Sequence, residues 1–472
     1  MFCVDLGVGH ALWRLDVLYR AHLLSPEAPA RLKDIPDGGL LVDEGGLIVA
    51  CGPFEAVAAA HPQAEIRDLR PHWILPGLID LHSHLPQYEC VALDGLELLP
   101  WLETHIFPAE ARFRDPDVAA KAARQYFGHQ LAVGTTTSVA YLTVHQEAAD
   151  RAFREADKCG IRAVLGKVMM DCHTPSYLQE ETAASLGQSE ELCQTWHGRD
   201  KGRLRYAFTP RFAPVCSREL MAGLARAADR HGAYIQTHLS ENLGELERVR
   251  ELFPEALDYT DVYARAGLLG PRTLLGHCIH LSPSERGKIR ESGATMVHCP
   301  RSNAFIKSGI MPLRKWLAEG DAVGLASDVG GGPSLDMWGE MAAACNASKL
   351  LWAQQRIQTQ RLSGVEGLHP DQRARIARAL DLEALDPISP AEAFHLATLH
   401  GARALGLEAV IGSLDAGKEA DFLIVDPARV DPAGARASEP AEEVLSRLLY
   451  RSEPGMVRAT YVRGRRCHAL GA

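Results

Sequence analysis

Ile74 to Tyr88 reads ILPGLIDLHSHLPQY. An apolar run, LIDL, leads without a break into His82-Ser83-His84. Side chains of a strand alternate between its faces, so residues i and i+2 point the same way. As a strand, LIDLHSH therefore sets His82 and His84 on one face, at a spacing suited to gripping one metal ion. A bare H-x-H is usually two unrelated histidines at a strand end. Here the pair follows Pro76-Gly77 and a buried-type strand, and further ligand-type residues recur at similar strand ends downstream.

Outward from that stretch, short apolar segments alternate with longer amphipathic ones. The strand candidates are LIDLHSH (78–84), TTTSVAYL (135–142), RAVLGKVMMD (162–171), RYAFTPRF (205–212), YIQTHLSE (234–241), TLLGHCIH (273–280), TMVHCP (295–300) and AVGLASD (322–328). Between them lie helical patterns such as DPDVAAKAARQYFGHQLAVG and SRELMAGLARAADRHG. Eight such βα units predict an α/β fold, a TIM-type (β/α)8 barrel over residues 76–405 with its site at the C-terminal strand ends. The flanks read as β structure. ALWRLDVLYRA is a strand, GLLVDEGGLIVACG (39–52) is a hairpin turning at Asp43-Glu44-Gly45-Gly46, and EIRDLRPHWI leads into the barrel. IGSLDAGKEADFLIVDP (411–427) and VRATYVRGRRC (457–467) return to β signals at the other end. Neither end buries much alone, so residues 1–75 and 406–472 are expected to pair into one small composite β-sandwich. The stretch from Pro427 to Glu442 reads as an exposed connection.

Composition narrows the function. A length of 472 residues, 46% apolar and 23% charged, suits a large globular core. A formal charge of −10 argues against a nucleic-acid or membrane-surface binder. No apolar run approaches the ~20 residues that cross a bilayer. The start, MFCVDLGVGHALWRL, lacks the parts of a signal peptide. The eleven cysteines are scattered with no C-x-x-C, as for reduced thiols, and a cytoplasmic location is expected.

The remaining ligand-type residues fall where a barrel would put a site. His238 heads HLSEN after the fifth strand, His277 and His280 flank Cys278 and Ile279 after the sixth, and Asp328 stands in LASDVGGG after the eighth. Three imidazoles and a carboxylate suit Zn²⁺ or Fe²⁺ and leave a position for water.

H-x-H after PGLID, the two downstream histidines and the aspartate together resemble the amidohydrolase superfamily, and GSLDAGKEADFLIV resembles its composite sandwich domain. LHSHLPQY, LELLPWLETHIFPAEARF, GKVMMD, TPRFAP, THLSEN, HCPRSN and SDVGGG are similar, more narrowly, to the guanine deaminase branch. Arg301 in HCPRSN departs from that pattern, where Asn or a small polar residue is usual, and is expected to alter the pocket rim. Ser83 and Leu85 also differ from the commonest residues around the H-x-H. Binuclear superfamily members carry a lysine on strand 4. RYAFTPRF has none, so one metal per chain is expected, and Lys167 on strand 3 reads as a surface or loop contact. The other class of base deaminase needs H-x-E with P-C-x-x-C, which is lacking here.

The resemblance implies zinc-dependent hydrolysis of guanine to xanthine and ammonia in purine catabolism or salvage. Zn²⁺ is the expected ion, one per chain, with Fe²⁺ as the alternative. The implied ligands are His82, His84, His238 and Asp328. His277 is a fifth ligand or a hydrogen-bond partner of the hydroxide. Glu241, three residues after His238, is the implied proton shuttle, and Asp328 and His277 complete the catalytic set. The implied substrate contacts are His84, Gln87, Arg211, Phe212, His238, Glu241 and Asp328. Arg211 offers a donor fork to O6, and Gln87 offers one donor and one acceptor to the ring edge. Trp101 and Phe107 read as pocket-closing or as a hydrophobic anchor. The expected partners are a purine base and water, with no nucleic acid or membrane, and the expected assembly is a homodimer. An alternative inside the superfamily is deamination of another heterocycle, such as 8-oxoguanine, a pterin or a triazine. A metal-free scaffold is the rival from another class.

Overall fold

The computed structural model describes residues 16–93, 96–431 and 439–470. The N-terminal stretch read for targeting signals, residues 11–15 of ALWRLDVLYRA and residues 432–438 of the expected connection lie outside the described residues.

Four strands open the chain: β1 (Val17–Ala28), β2 (Arg31–Val42), β3 (Ile48–Pro53) and β4 (Glu65–Pro76). The barrel strands follow as β5 (Leu78–His84), β6 (Thr135–Tyr141), β7 (Arg162–Gly166), β8 (Val168–Met169), β9 (Leu204–Pro210), β10 (Tyr234–Leu239), β11 (Thr273–His277), β12 (Thr295–His298) and β13 (Val323–Leu325). The chain ends in β14 (Phe422–Val425), β15 (Val457–Val462) and β16 (Arg465–Ala469). Barrel neighbours pair in the order β13-β12-β11-β10-β9-β7-β6-β5, all parallel. The ring closes just beyond β13: the Asp328 amide donates to the His82 carbonyl at 2.8 Å, and the His84 amide to the Val329 carbonyl at 2.6 Å. The eight expected βα units are thus one barrel, with the third strand broken into β7 and β8 around Lys167.

The connecting helices form where the amphipathic patterns lie. Pro116–Ala132 starts on Asp115, whose carboxylate accepts from the Asp117 amide at 2.9 Å. It turns Ala119, Ala123, Tyr126 and Phe127 inward. Arg218–His231 is capped by Ser217 and stopped by Gly232 at φ 61°, a conformation that suits glycine. Inside the barrel, Ile79, Leu81, Val139, Val164, Leu274 and Val297 pack with Leu405 and Ile411 into an apolar floor. The floor closes one end, so the polar residues at the strand C-termini face the other.

Residues from both chain ends share one composite β unit, ordered β16-β15-β14-β4-β1-β2-β3. The hairpin at Asp43–Gly46 is present as the antiparallel β2–β3 pair. β14 inserts beside β4 with Ile424 opposite Ile74, so the C-terminal part completes the N-terminal sheet. Arg162 of β7, 2% exposed, ties this unit to the barrel through Asp421 at 3.0 Å and through Glu419. Three boundaries move from expectation. IGSLDAGKEADFLIVDP keeps only Phe422–Val425 as strand, β11 stops at His277, and the end of the Pro427–Glu442 connection leads into a helix, Ala441–Tyr450. Among the described residues no helix is long and apolar enough to cross a membrane.

Candidate active site

β5 is buried along its whole length. Its inner residues Ile79 and Leu81 belong to the floor. The pairing of β5 with β6 then shifts register between Asp80 and Ser83, and beyond the shift His82 and His84 turn their rings into the open end. Gly276 of β11 makes this possible: a Cβ there would lie 2.9 Å from His82 Cε1.

Four ligand-type groups converge. His82, His84, His238 and Asp328 each offer an atom, all within 4.8 Å of one another. Asp328 Oδ1 is 3.2 Å from His82 Nε2 and 3.3 Å from His84 Nε2. His84 Nε2 and His238 Nε2 stand 3.1 Å apart. His238 Nδ1 donates to the Arg211 carbonyl at 2.6 Å, which fixes the tautomer and leaves its Nε2 lone pair facing the centre. Burial pushes His82 below its usual range, His84 down to about 3 and His238 well down, so each ring is held neutral, the form that ligates a metal. His82 Nε2 is buried without a hydrogen-bond partner. Converging lone pairs, an orphaned ring nitrogen and a carboxylate make a donor set that fits a divalent cation.

A second layer surrounds this cluster. Asp328 Oδ2 accepts from Ser302 Oγ at 2.5 Å and lies 3.7 Å from His277 Nε2. His277 Nδ1 meets Asn303 Oδ1 at 2.9 Å, and its Nε2 is 3.4 Å from Glu241 Oε2. Ser302 and Asn303 both come from the short helix Pro300–Phe305 after β12. Glu241, 2% exposed, is reached by Ser308 Oγ at 3.4 Å. Its amide donates to Glu245 Oε2 at 2.8 Å. Burial, then the charges of Asp328 and Glu245, push its carboxyl well above the usual range. Burial opposes ionisation of Asp328 too, but the facing imidazoles outweigh it and hold that carboxyl well below the usual range. One acid thus tends to keep its proton while its neighbour stays ionised, an arrangement suited to acid–base work. His277 and Asp328 adopt φ values of 66° and 48°. Non-glycine residues in that region cost on the order of 1–3 kcal/mol each and cluster at functional sites.

The opening is a cleft whose empty space, open solvent included, is about 360 Å³. His84, Gln87, Arg211, Phe212, His238, Glu241, His277 and Asp328 line it, joined by Leu98, Trp101, Leu102 and Ile306. The residues singled out from the sequence are therefore together, with His82 beneath the cavity. Three readings need correction. His280 lies past the end of β11 and bonds the Ser308 carbonyl at 2.8 Å, away from the cluster. Lys167 is fully buried and ion-paired with Glu180, not a surface contact. Arg301 turns toward Ser334 at 2.9 Å and Glu340 at 3.6 Å and does not line the cavity. Of its two readings Phe107 takes the hydrophobic anchor, packing 5.4 Å from the Arg211 guanidinium, while Trp101 lines the cavity. Residues without an assigned role also surround the site: Glu110, Ser302, Asn303 and Asp80. Asp80, fully buried, accepts from the Ser327 amide at 2.9 Å beside Asp328, and burial raises its carboxyl to about 6. Glu110, Ser302 and Asn303 stand inside the motifs LPWLETHIFPAE and HCPRSN, which was the available signal.

The sequence matches the family described as "Amidohydrolase family" over residues 73–362 and 372–467. It is 36% identical over 403 residues to the Escherichia coli (strain K12) protein named "Guanine deaminase", covering 85% of this chain and 84% of that one. The chain belongs to the guanine deaminase branch of the amidohydrolase family. As an amidohydrolase of that branch it is an enzyme, a hydrolytic deaminase. Residues 44–64 also match an imidazolonepropionase-like composite domain, in the N-terminal part of the composite β unit. Among solved structures it is similar to a guanine deaminase from C. acetobutylicum with guanine bound in its active site, at TM-score 0.84 and 30% identity over 96% of this chain and 99% of that one. A Bradyrhizobium japonicum guanine deaminase superposes at TM-score 0.86 and 30% identity over 97% of this chain and all of that one.

Proposed function

We propose that this amidohydrolase converts guanine and water to xanthine and ammonia at one Zn²⁺ held by His82, His84, His238 and Asp328. Fe²⁺ is the other ion this donor set accepts. The observation that carries the reading is a single cavity combining the histidine–aspartate cluster, a buried high-pKa carboxyl at Glu241 and a fixed donor at Arg211. The names of the curated relatives and the guanine in the C. acetobutylicum structure support the same base. Ten free cysteines among the described residues fit a reducing compartment.

When bound there, the ion supplies Lewis-acid chemistry that makes a water nucleophilic near neutral pH. The protein's own groups handle the rest. Asp328 Oδ2, ionised and aimed by Ser302, accepts the proton of the attacking water. His277, with Nδ1 anchored on Asn303, directs Nε2 at the same space. Glu241, protonated at rest, gives its proton to the purine ring nitrogen N3 as the water oxygen bonds to C2. A proton then passes to the amino group, the C2–N bond breaks, and ammonia leaves. Arg211 donates to O6, Phe212 packs on the ring face, and Leu98, Trp101 and Leu102 exclude water.

Steady-state ammonia release from guanine, 8-oxoguanine, adenine and cytosine tests the choice of base. Adenine lacks an amino group at C2 and places a donor where guanine has O6, against the donors of Arg211. A site whose buried polar groups are left unpaired rejects the wrong ligand by up to ~10⁴–10⁵. Guanine is expected to give the highest kcat/KM. A higher value for any of the other three bases would overturn the assignment.

A further inference from the structure

The segment from Leu98 to Ala111 closes the cavity with Leu98, Trp101 and Leu102, then runs behind it. There Glu110 is 2% exposed. Both its oxygens accept from Arg211 Nη1, each at 2.8 Å, and Gln87 Nε2 donates to Oε1 at 3.0 Å. Phe107, one turn earlier, packs against the guanidinium. Gln87 is held at its other end as well, where the Gly330 amide approaches Oε1 at 3.4 Å. Arg211 and Gln87 line the cavity and Glu110 does not. One buried carboxylate thus stands behind two pocket-lining donors that come from different strand ends.

We propose that Glu110 positions Arg211 and Gln87 as one recognition unit and, by cancelling the guanidinium charge, makes the pocket select a neutral aminopurine over an anionic dioxopurine. This deepens the guanine reading and rests on it. A guanidinium has five N–H donors in a fixed fork, and Glu110 occupies those of Nη1 alone. The remaining donors keep their direction toward a ring carbonyl because Glu110 and Phe107 hold the plane. At 2.8 Å the carboxylate neutralises the positive charge, so the cavity gains aimed donors without a net cation. The product has a second carbonyl where the substrate has an amino group, and it sheds a ring proton more readily. A pocket without net charge from Arg211 binds that anion no better than the neutral base and releases it.

The test is steady-state kinetics of wild type, Glu110→Gln and Glu110→Asp on guanine. Xanthine inhibition is measured at neutral and mildly alkaline pH, and metal content is determined for each protein. For Glu110→Gln we expect KM for guanine to rise about tenfold, since a buried charge loses its partner, with kcat falling less and metal content unchanged. The ratio of xanthine Ki to guanine KM should fall, most at alkaline pH, because the arginine charge is no longer cancelled. Glu110→Asp keeps the charge and shortens the reach, so KM should rise while that ratio stays near wild type, even if the Gln variant does not fold. Unchanged KM in both variants, or loss of metal and kcat together at constant KM, would overturn the positioning role. An unchanged ratio in Glu110→Gln, or a fall in Glu110→Asp equal to that in Glu110→Gln, would overturn the charge role. No guanine turnover by wild type would instead overturn the substrate reading.

Discussion

Asp328 gives its two oxygens different work. Oδ1 faces His82 and His84, whereas Oδ2 is tied to Ser302 and faces His277. Glu241 sits across the same space with a raised pKa, which separates the acid from the base. Glu241→Gln removes the transferable proton with little change in shape. It should keep the metal and bind guanine, yet lose about 10²–10⁴-fold in kcat, the usual worth of general acid–base help. Single-turnover kinetics with metal analysis checks this, and near wild-type turnover would move the shuttle to another group. At this scale the ligand-type residues were legible because imidazoles and carboxylates at successive strand ends form a pattern along the chain. Their supports were not. Glu110 is 101 residues from Arg211, and Ser302 is 26 from Asp328, so only folding shows which donor meets which acceptor.

Periodicity located all eight barrel strands but not where they stop. TLLGHCIH continues the apolar pattern to His280, yet the backbone turns at His277 and Cys278, with φ of 66° and 54°. Neither residue is a glycine, so nothing local announced the turn. The same limit hid the break at Lys167, a lysine buried by an ion pair to Glu180. Helices below the barrel strands carry a separate titration. His395 in Pro390–Leu396 and His400 in Leu399–Ala404 have rings 5.8 Å apart. Burial chiefly depresses both to about 4, helped at His395 by Arg403 and at His400 by His395 and Arg403. The unfolded chain, with histidines near 6.5, binds more protons between pH 6.5 and 4. Stability therefore falls as pH drops through that window. Both ring nitrogens of His395 lack hydrogen-bond partners, so His395→Leu removes the share of His395 in this titration without stranding a donor. From urea midpoints between neutral pH and pH ~5, we expect wild type to lose on the order of 2 kcal/mol more than the variant. Parallel losses would refute this origin.

At the scale of the molecule, the pairing of the two chain ends was legible because neither end alone offers enough apolar surface for a core. β14 beside β4 supplies the missing partner. The clasp that orients this unit on the barrel was not legible. Arg162, Asp421, Glu419 and Arg463 are spread from the third barrel strand to the last hairpin, and each reads alone as a surface charge. The barrel holds the site's parts at the ends of β5, β10 and β11 and just past β13, so loss of one ligand should disable the whole centre. Elemental analysis of the purified protein, run beside guanine turnover and repeated for His84→Ala, examines this most directly. We expect about one equivalent of zinc per chain, turnover proportional to occupancy, and loss of metal and activity together in the variant. Two metals per chain at full occupancy, or undiminished guanine turnover from metal-free protein, would contradict the mononuclear centre proposed for this amidohydrolase.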